Sequence, residues 1–134
     1  MADPYLSYNG HLQPVDTAVI PALDRGLLYG DGVFETLPIY NGTPFRLYTH
    51  WERLCAAANE LRFPMLLTYE TFDTTIQELL ATNGRRDGVL RITVTRDALH
   101  PGLDPHPGAN PTVLITTAAH RSTLRSPCRV VTVG

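Results

Sequence analysis

Lysine is absent from the sequence, and charge of either sign is sparse. The chain has 134 residues, and its 11 basic residues are all arginines, against 13 acidic residues, for a formal net charge of −2. A chain without lysine cannot form a Schiff base through its own lysine amine or use that amine as a base. A slightly acidic chain also lacks the positive surplus expected of a protein that binds nucleic acid or an anionic membrane.

Cysteine and long apolar runs are scarce as well. Cys55 and Cys128 are the two cysteines, and neither has metal-ligand spacing, so we expect both to be small buried groups in a reducing compartment. No window approaches the roughly 20 apolar residues that span a bilayer, and the first residues do not resemble a signal sequence. With 43% hydrophobic residues, the sequence predicts one cytoplasmic domain with an ordinary core.

Two Asn-Gly pairs, at 9–10 and 41–42, each separate short runs that favour β structure. Asn-Gly is typical of tight hairpin turns because both central residues adopt positive φ. We therefore predict hairpins over 5–14 and 33–47, with Pro38 placing its strand at an edge or a bulge. Period-2 alternation and apolar runs predict three further strands, which begin near Gly88, Thr112 and Cys128.

Apolar residues at helical spacing predict two helices between these strands. The first is expected to begin at Thr49, as the N-cap of a capping box with Glu52, and to end before Pro64. The second is expected over 69–83, with Gly84 after its last residue. Because strands and helices are grouped rather than alternating, the predicted fold class is α+β, with a mostly antiparallel sheet and two helices.

Arg53 and a glycine-rich turn are the features most open to a functional interpretation. Arg53 falls away from the apolar stripe of its helix, above small side chains, where its guanidinium could bind a phosphate or a carboxylate. A solvated arginine fits the same pattern. The turn Gly30-Asp31-Gly32 lacks the other residues of a dinucleotide-binding or P-loop motif, so a structural turn is favoured.

The five histidines form no recognisable metal site or nucleophile triad. His100 and His106 share a proline-rich loop with Asp97 and Asp104, yet their spacing matches no structural zinc site. No serine or cysteine lies in a local signature with a histidine. The sequence therefore predicts neither a bound metal nor a catalytic triad.

Five segments follow one another in a recognisable order and spacing: Asp24–Thr36, Tyr40–Gly42, Pro44–Leu47, His50–Leu54 and Gly88–Arg96. Together they resemble the N-terminal domain of the class IV pyridoxal-phosphate enzymes. That family includes branched-chain aminotransferases, D-amino acid transaminases and aminodeoxychorismate lyases. The resemblance implies a two-domain enzyme that usually works as a homodimer, with pyridoxal 5′-phosphate bound in the cleft between the domains.

The resemblance also implies roles for three residues. Arg53 matches the arginine that binds the cofactor phosphate, while Tyr29 and Phe34 match positions that line the substrate side of the cleft. Phe34 stands where D-amino acid transaminases have a tyrosine. Branched-chain enzymes usually lack the Gly-Asp-Gly turn, and Asp97 stands where relatives often have a glycine. These differences favour an aminodeoxychorismate lyase-like member or one of a kind not yet characterised, with the choice between lyase and transaminase left open.

In this family the Schiff-base lysine belongs to the C-terminal domain. The resemblance therefore implies that residues 1–134 are the N-terminal domain of such an enzyme, without its C-terminal domain. We expect the chain to be inactive alone, without retained cofactor, because no lysine is present to react. An alternative of a different class is a stand-alone, non-catalytic domain that oligomerises or binds a phosphorylated metabolite through Arg53.

Overall fold

The computed structural model describes residues 3–62, 64–65, 67–96, 104 and 110–120. These residues form an α+β fold with a six-stranded antiparallel sheet, in the order β2-β1-β6-β5-β3-β4. The strands are β1 (Tyr5–Tyr8), β2 (His11–Pro14), β3 (Gly32–Tyr40), β4 (Thr43–Pro44), β5 (Gly88–Thr95) and β6 (Thr112–Ala118). The α-helices are α1 (Arg25–Tyr29), α2 (Leu47–Glu60) and α3 (Tyr69–Asn83), and a 3₁₀ turn covers Val15–Thr17.

Both predicted hairpins are present. At each turn the asparagine and the glycine have positive φ, as Asn-Gly favours: +51° and +83° at 9–10, and +50° and +79° at 41–42. The predicted strands that begin near Gly88 and Thr112 are confirmed as β5 and β6. The strand predicted to begin near Cys128 lies outside the described residues.

One long edge of β3 is open in the described part of the chain. On one side β3 pairs with β5 from Gly32 to Ile39, whereas on the other side β4 reaches only Ile39 and Tyr40. The second hairpin is therefore shorter than predicted. Pro38, which has no N–H to donate, is compatible with this edge position, as the sequence predicts.

The two faces of the sheet have different surroundings. One is covered by α2 and α3, and it carries the fully buried side chains of Leu37, Ile39, Leu90, Ile92, Val94 and Ile115. The helices contribute the buried side chains of Trp51, Leu54, Ala58, Phe72, Ile76, Leu79 and Leu80. The pleat and the strand register place Phe34, Thr36, Arg91, Thr93, Thr95, Leu114 and Thr116 on the opposite face, which we call the open face.

The start of α2 differs from the prediction. The helix begins at Leu47, two residues before Thr49, and its N-cap Arg46 has φ +51° without a side-chain cap. Positive φ at Arg46 reverses the chain directly after β4, and Leu47 is then buried in the core as the first helical residue. Burial of an apolar side chain thus sets the helix start, and the Thr49-Glu52 capping box does not.

The second predicted helix is confirmed as α3. Thr68 caps its first turn by accepting a hydrogen bond from the Thr71 amide, and Gly84 follows it with φ +60°. At 15 residues α3 is the longest helix described, and no helix in the described ranges has the length and apolar character needed to cross a membrane.

The predicted α+β fold class is confirmed, and the structure adds a third helix, α1, to the two that the sequence predicts. Asp24 caps it by accepting hydrogen bonds from the amides of Gly26 and Leu27, and Asp24 in turn accepts one from the Thr95 hydroxyl. Gly30 ends the helix with φ +67°. These contacts hold α1 against the end of β5, at the border of the open face.

Candidate functional site

Asp31, in the turn between α1 and β3, accepts hydrogen bonds from two buried arginines. Its Oδ2 lies 2.9 Å from Nε of Arg25 and 2.8 Å from Nε of Arg96. Arg96 also donates to the backbone carbonyls of Leu61 and Arg62, just after α2. This cluster of Arg25, Asp31 and Arg96, which we call the buried clamp, ties together α1, the turn, the end of β5 and the end of α2.

Two opposing effects act on the pKa of Asp31. Burial by itself would raise that pKa, because a low-dielectric environment disfavours the charged carboxylate. Hydrogen bonds and positive charge from Arg96 and Arg25 outweigh burial, and the pKa lies below the ordinary value of 3.8. Asp31 is therefore charged at neutral pH.

Gly32, at the end of the turn, permits close packing of β3 against β5 next to Phe34. A Cβ on Gly32 would lie 2.6 Å from the carbonyl oxygen of Val94, so a larger residue would force the backbones apart. The structural turn predicted for Gly30-Asp31-Gly32 is therefore present. A pocket of about 140 Å³ opens beside it, lined by Gly26, Gly30, Gly32, Val33, Phe34, Thr93 and Thr95.

Tyr29 and Phe34, the two predicted substrate-side residues, both lie near the open face. Tyr29 ends α1 and is 44% exposed, with the Arg25 guanidinium carbon 5.0 Å from its ring centroid. Phe34 is 58% exposed, and the guanidinium carbon of Arg91 lies 4.0 Å from its ring centroid. Nη1 of Arg91 also donates to Thr36 Oγ1 at 3.3 Å.

Arg91 is a candidate functional residue that our sequence reasoning missed. It presents an exposed guanidinium beside Phe34, and such a group can bind a substrate carboxylate. The sequence does indicate it. The alternation of β5 places Arg91 on the polar face of the strand, next to threonines, where a charged side chain stands out.

Arg53 is exposed on α2 and contacts a carboxylate of β3. Its side chain is 67% exposed, and its Nε lies 3.4 Å from Oε1 of Glu35. The other oxygen of Glu35, Oε2, lies 2.6 Å from Nδ1 of His50, and the side chains of Glu35 and His50 are only 11% and 16% exposed. We call Glu35, His50 and Arg53 the Glu35 cluster.

Two adjacent residues of β3, Phe34 and Glu35, belong to two separate groups of site residues. One group is on the open face and the other is the Glu35 cluster. Phe34 lies on the open face, whereas Glu35 points toward α2 and Arg53, because successive strand side chains alternate between faces. The structure thus brings Arg53 together with Glu35 and His50. In the described ranges we find no contact of Arg53 with Tyr29 or Phe34.

Of the two cysteines and the two loop histidines, Cys55 lies among the described residues and the others do not. Cys55 is half-buried on α2, and burial raises the pKa of its thiol, which fits a structural thiol better than a reactive one. Cys128, His100, His106 and Asp97 lie outside the described residues.

Sequence comparison relates the chain to one enzyme family. The family model for amino-transferase class IV matches residues 32–133. The chain is 39% identical over 105 residues to a putative branched-chain-amino-acid aminotransferase of Methanocaldococcus jannaschii, covering 78% of this chain and 36% of that protein. It is 37% identical over 89 residues to a D-alanine aminotransferase of Bacillus licheniformis, covering 66% of this chain and 31% of that protein.

Solved structures agree with the sequence comparison. A branched-chain amino acid aminotransferase of T.th., solved with pyridoxamine 5′-phosphate, superimposes with a TM-score of 0.82 at 27% identity, covering 92% of this chain and 42% of that chain. A 4-amino-4-deoxychorismate lyase of Pseudomonas aeruginosa gives a TM-score of 0.70 at 32% identity, covering 85% and 39%. The chain therefore spans about a third to two fifths of the length of these proteins.

Proposed function

The chain belongs to the class IV aminotransferase family, and on that premise we propose that it is the N-terminal portion of a pyridoxal-phosphate-dependent enzyme. The proposed enzyme is an aminotransferase or an aminodeoxychorismate lyase, acting on amino acids or aminodeoxychorismate. Residues 1–134 contain no lysine, so in this proposal the Schiff-base lysine comes from other polypeptide and these residues are inactive alone.

The observation that carries the proposal is the exposed guanidinium of Arg53. Its shortest distance to Glu35 is 3.4 Å, from Nε to Oε1, and we find no hydrogen bond of the Arg53 side chain in the described part of the chain. Two N–H groups in one plane match a phosphate, which accepts paired hydrogen bonds from arginine. The residues present therefore fit the phosphate of the cofactor, with Arg53 as the residue that would hold it.

We propose that Tyr29 and Phe34 line the substrate side of the same cleft, with Arg91 beside Phe34. When bound, pyridoxal 5′-phosphate supplies an electron sink for reactions at the α-carbon of an amino substrate. The exposed rings of Tyr29 and Phe34 offer apolar contact to such a substrate, and the guanidinium of Arg91 offers a charge for a carboxylate. The proposal includes both lyase and transaminase, because proteins with either name are among those similar to this chain.

Exposed apolar side chains between residues 19 and 34 support the proposal of a homodimer. The side chains concerned are Val19, Ile20, Leu23, Leu27, Leu28, Tyr29 and Phe34, each more than 40% exposed. Exposed apolar side chains concentrated in one segment favour association with another protein surface. The expected cytoplasmic location stays a prediction.

Replacement of Arg53 tests the proposed function. In the complete gene product, Arg53→Ala is expected to weaken binding of pyridoxal 5′-phosphate by about 1.5–3 kcal/mol, because charge-assisted hydrogen bonds to the phosphate are lost. Binding of pyridoxal, which has no phosphate, should change little. Calorimetric titration with both compounds measures the two affinities.

Arg86→Ala is the matched control, since Arg86 is also exposed but lies beyond α3, away from the Glu35 cluster. It should leave both affinities unchanged. Equal affinity of wild type and Arg53→Ala for pyridoxal 5′-phosphate would refute the assignment. Binding of simple phosphorylated metabolites as tightly as the cofactor would favour the alternative of a non-catalytic binding domain.

A further inference from the structure

Glu35 is a largely buried carboxylate whose two oxygens contact different side chains of α2. Oε2 lies 2.6 Å from His50 Nδ1, and Oε1 lies 3.4 Å from Arg53 Nε. His50 and Arg53 are three residues apart on one helix, so both can reach the same strand residue. The carboxylate therefore links β3 to α2 at the place where Arg53 leaves the helix.

The two residues that contact Glu35 differ in their distance from it and in their exposure to solvent. His50 is 16% exposed, and its short hydrogen bond fixes the position of the carboxylate. Arg53 is 67% exposed, and its shortest distance to Glu35 is longer, 3.4 Å from Nε to Oε1. His50 thus holds Glu35, while Glu35 restrains the near side of the guanidinium.

Restraint at Nε matters because a free arginine side chain samples many rotamers. An anion that binds Arg53 must otherwise immobilise this side chain, which lowers affinity. Attraction between the charges favours orientations of the guanidinium that keep Nε near Glu35, and the terminal nitrogens carry further N–H donors for another acceptor. The charge of Glu35 by itself acts in the other direction and lowers the affinity for an anion, since a nearby carboxylate repels it.

We propose that Glu35, held by His50, is a positioning residue that orients Arg53 for the phosphate of the cofactor. This inference rests on the proposed function, in which Arg53 binds that phosphate. The short contact with His50 argues for positioning over simple repulsion, because one carboxylate oxygen contacts the histidine while the second lies nearest Arg53 Nε.

A double-mutant cycle in the complete gene product tests the inference. Glu35→Gln keeps the size of the side chain and removes its charge, and we expect the Kd of pyridoxal 5′-phosphate to rise by about fivefold, the upper size for loss of an exposed ion pair. In an Arg53→Ala background the same substitution should have no further effect, because Glu35 acts through Arg53. His50→Ala should change the Kd in the same direction by a smaller factor.

Two controls separate positioning from a general structural role. Glu52→Gln removes an exposed carboxylate from the same helix and should leave the Kd unchanged. Titration with pyridoxal reports the part of the site that does not involve the phosphate, and Glu35→Gln should leave that affinity within about twofold of wild type.

Each alternative outcome is decisive. An unchanged or lower Kd in Glu35→Gln overturns the positioning role, the lower value showing that Glu35 opposes the anion. An equal loss of affinity for pyridoxal 5′-phosphate and pyridoxal also overturns it, in favour of a structural contact between β3 and α2. If Arg53→Ala itself leaves the cofactor Kd unchanged, the proposed function fails and this inference fails with it, whereas a loss in Arg53→Ala alone overturns only the role of Glu35.

Discussion

Asp31 and Glu35 each contact two basic side chains, but their clusters differ in exposure. In the buried clamp the side chains of Arg25 and Arg96 are 3% and 4% exposed, whereas Arg53 in the Glu35 cluster is 67% exposed. A buried charge must be compensated within the fold, while an exposed one is solvated and free to meet a ligand. Similar combinations of residues thus serve stability in one place and binding in another.

The largest effect is expected in the buried clamp. Asp31→Asn should lower the free energy of unfolding by about 3–5 kcal/mol, because two buried guanidiniums lose their shared carboxylate. Urea unfolding at neutral pH measures the loss. Asp16→Asn, at an exposed aspartate in the 3₁₀ turn, is the control and should cost less than about 0.5 kcal/mol. A loss at Asp31 no larger than the control would mean that burial does not distinguish the two clusters.

An intermediate effect is expected at Arg85, whose exposure lies between that of the arginines of the buried clamp and that of Arg53. Asp3 accepts hydrogen bonds from Arg85 and from the Thr117 hydroxyl, with side chains 5% exposed at Asp3 and 24% at Arg85. Arg85→Gln should cost about 1–2 kcal/mol of unfolding free energy, below the loss at Asp31. Arg86→Gln, at the neighbouring exposed arginine, is the control. A cost at Arg85 above that at Asp31 would break the proposed dependence on burial.

The same pair predicts a pH dependence. Hydrogen bonds from Arg85 and Thr117 outweigh the effect of burial and hold the pKa of Asp3 below its ordinary value of 3.8. The resulting stability is fully present above pH 3.8 and is lost as the pH falls through the lowered pKa of the folded state. The difference in unfolding free energy between wild type and Arg85→Gln should therefore shrink in acid. A constant difference from neutral pH to below that pKa would contradict this assignment.

The smallest effect on stability is expected at Arg53. Arg53→Ala should change the unfolding free energy by less than about 1 kcal/mol, because exposed ion pairs contribute little. Thermal unfolding without cofactor measures this change. A destabilisation as large as that of Asp31→Asn would show that Arg53 holds the fold together, and the contrast between the two clusters would disappear.

Local signals in the sequence predict much of the fold. Asn-Gly turns, the alternation of β5 and the cap and final glycine of α3 each depend on a few neighbouring residues, so they are visible without tertiary contacts. The start of α2 depends on burial of Leu47 against the sheet, and a local capping box points elsewhere. Helix α1 was missed because its five residues include a glycine, although Asp24 before it and Gly30 after it are ordinary helix boundaries.

The candidate site is predictable only in part. Helical periodicity separates Arg53 from the apolar stripe of α2, and strand alternation separates Phe34 from Glu35. Neither pattern gives the distance between Glu35 and Arg53, which depends on how α2 packs on the sheet. The association of Asp31 with Arg96 is likewise invisible in the sequence, because 65 positions separate the two residues.

The alternation of Phe34 and Glu35 in β3 also limits how this chain can diversify. Inserting or deleting one residue within the strand would send the aromatic ring toward α2 and the carboxylate toward the other surface, exchanging the two environments at once. The two environments are therefore kept only when side chains are replaced at a constant strand length.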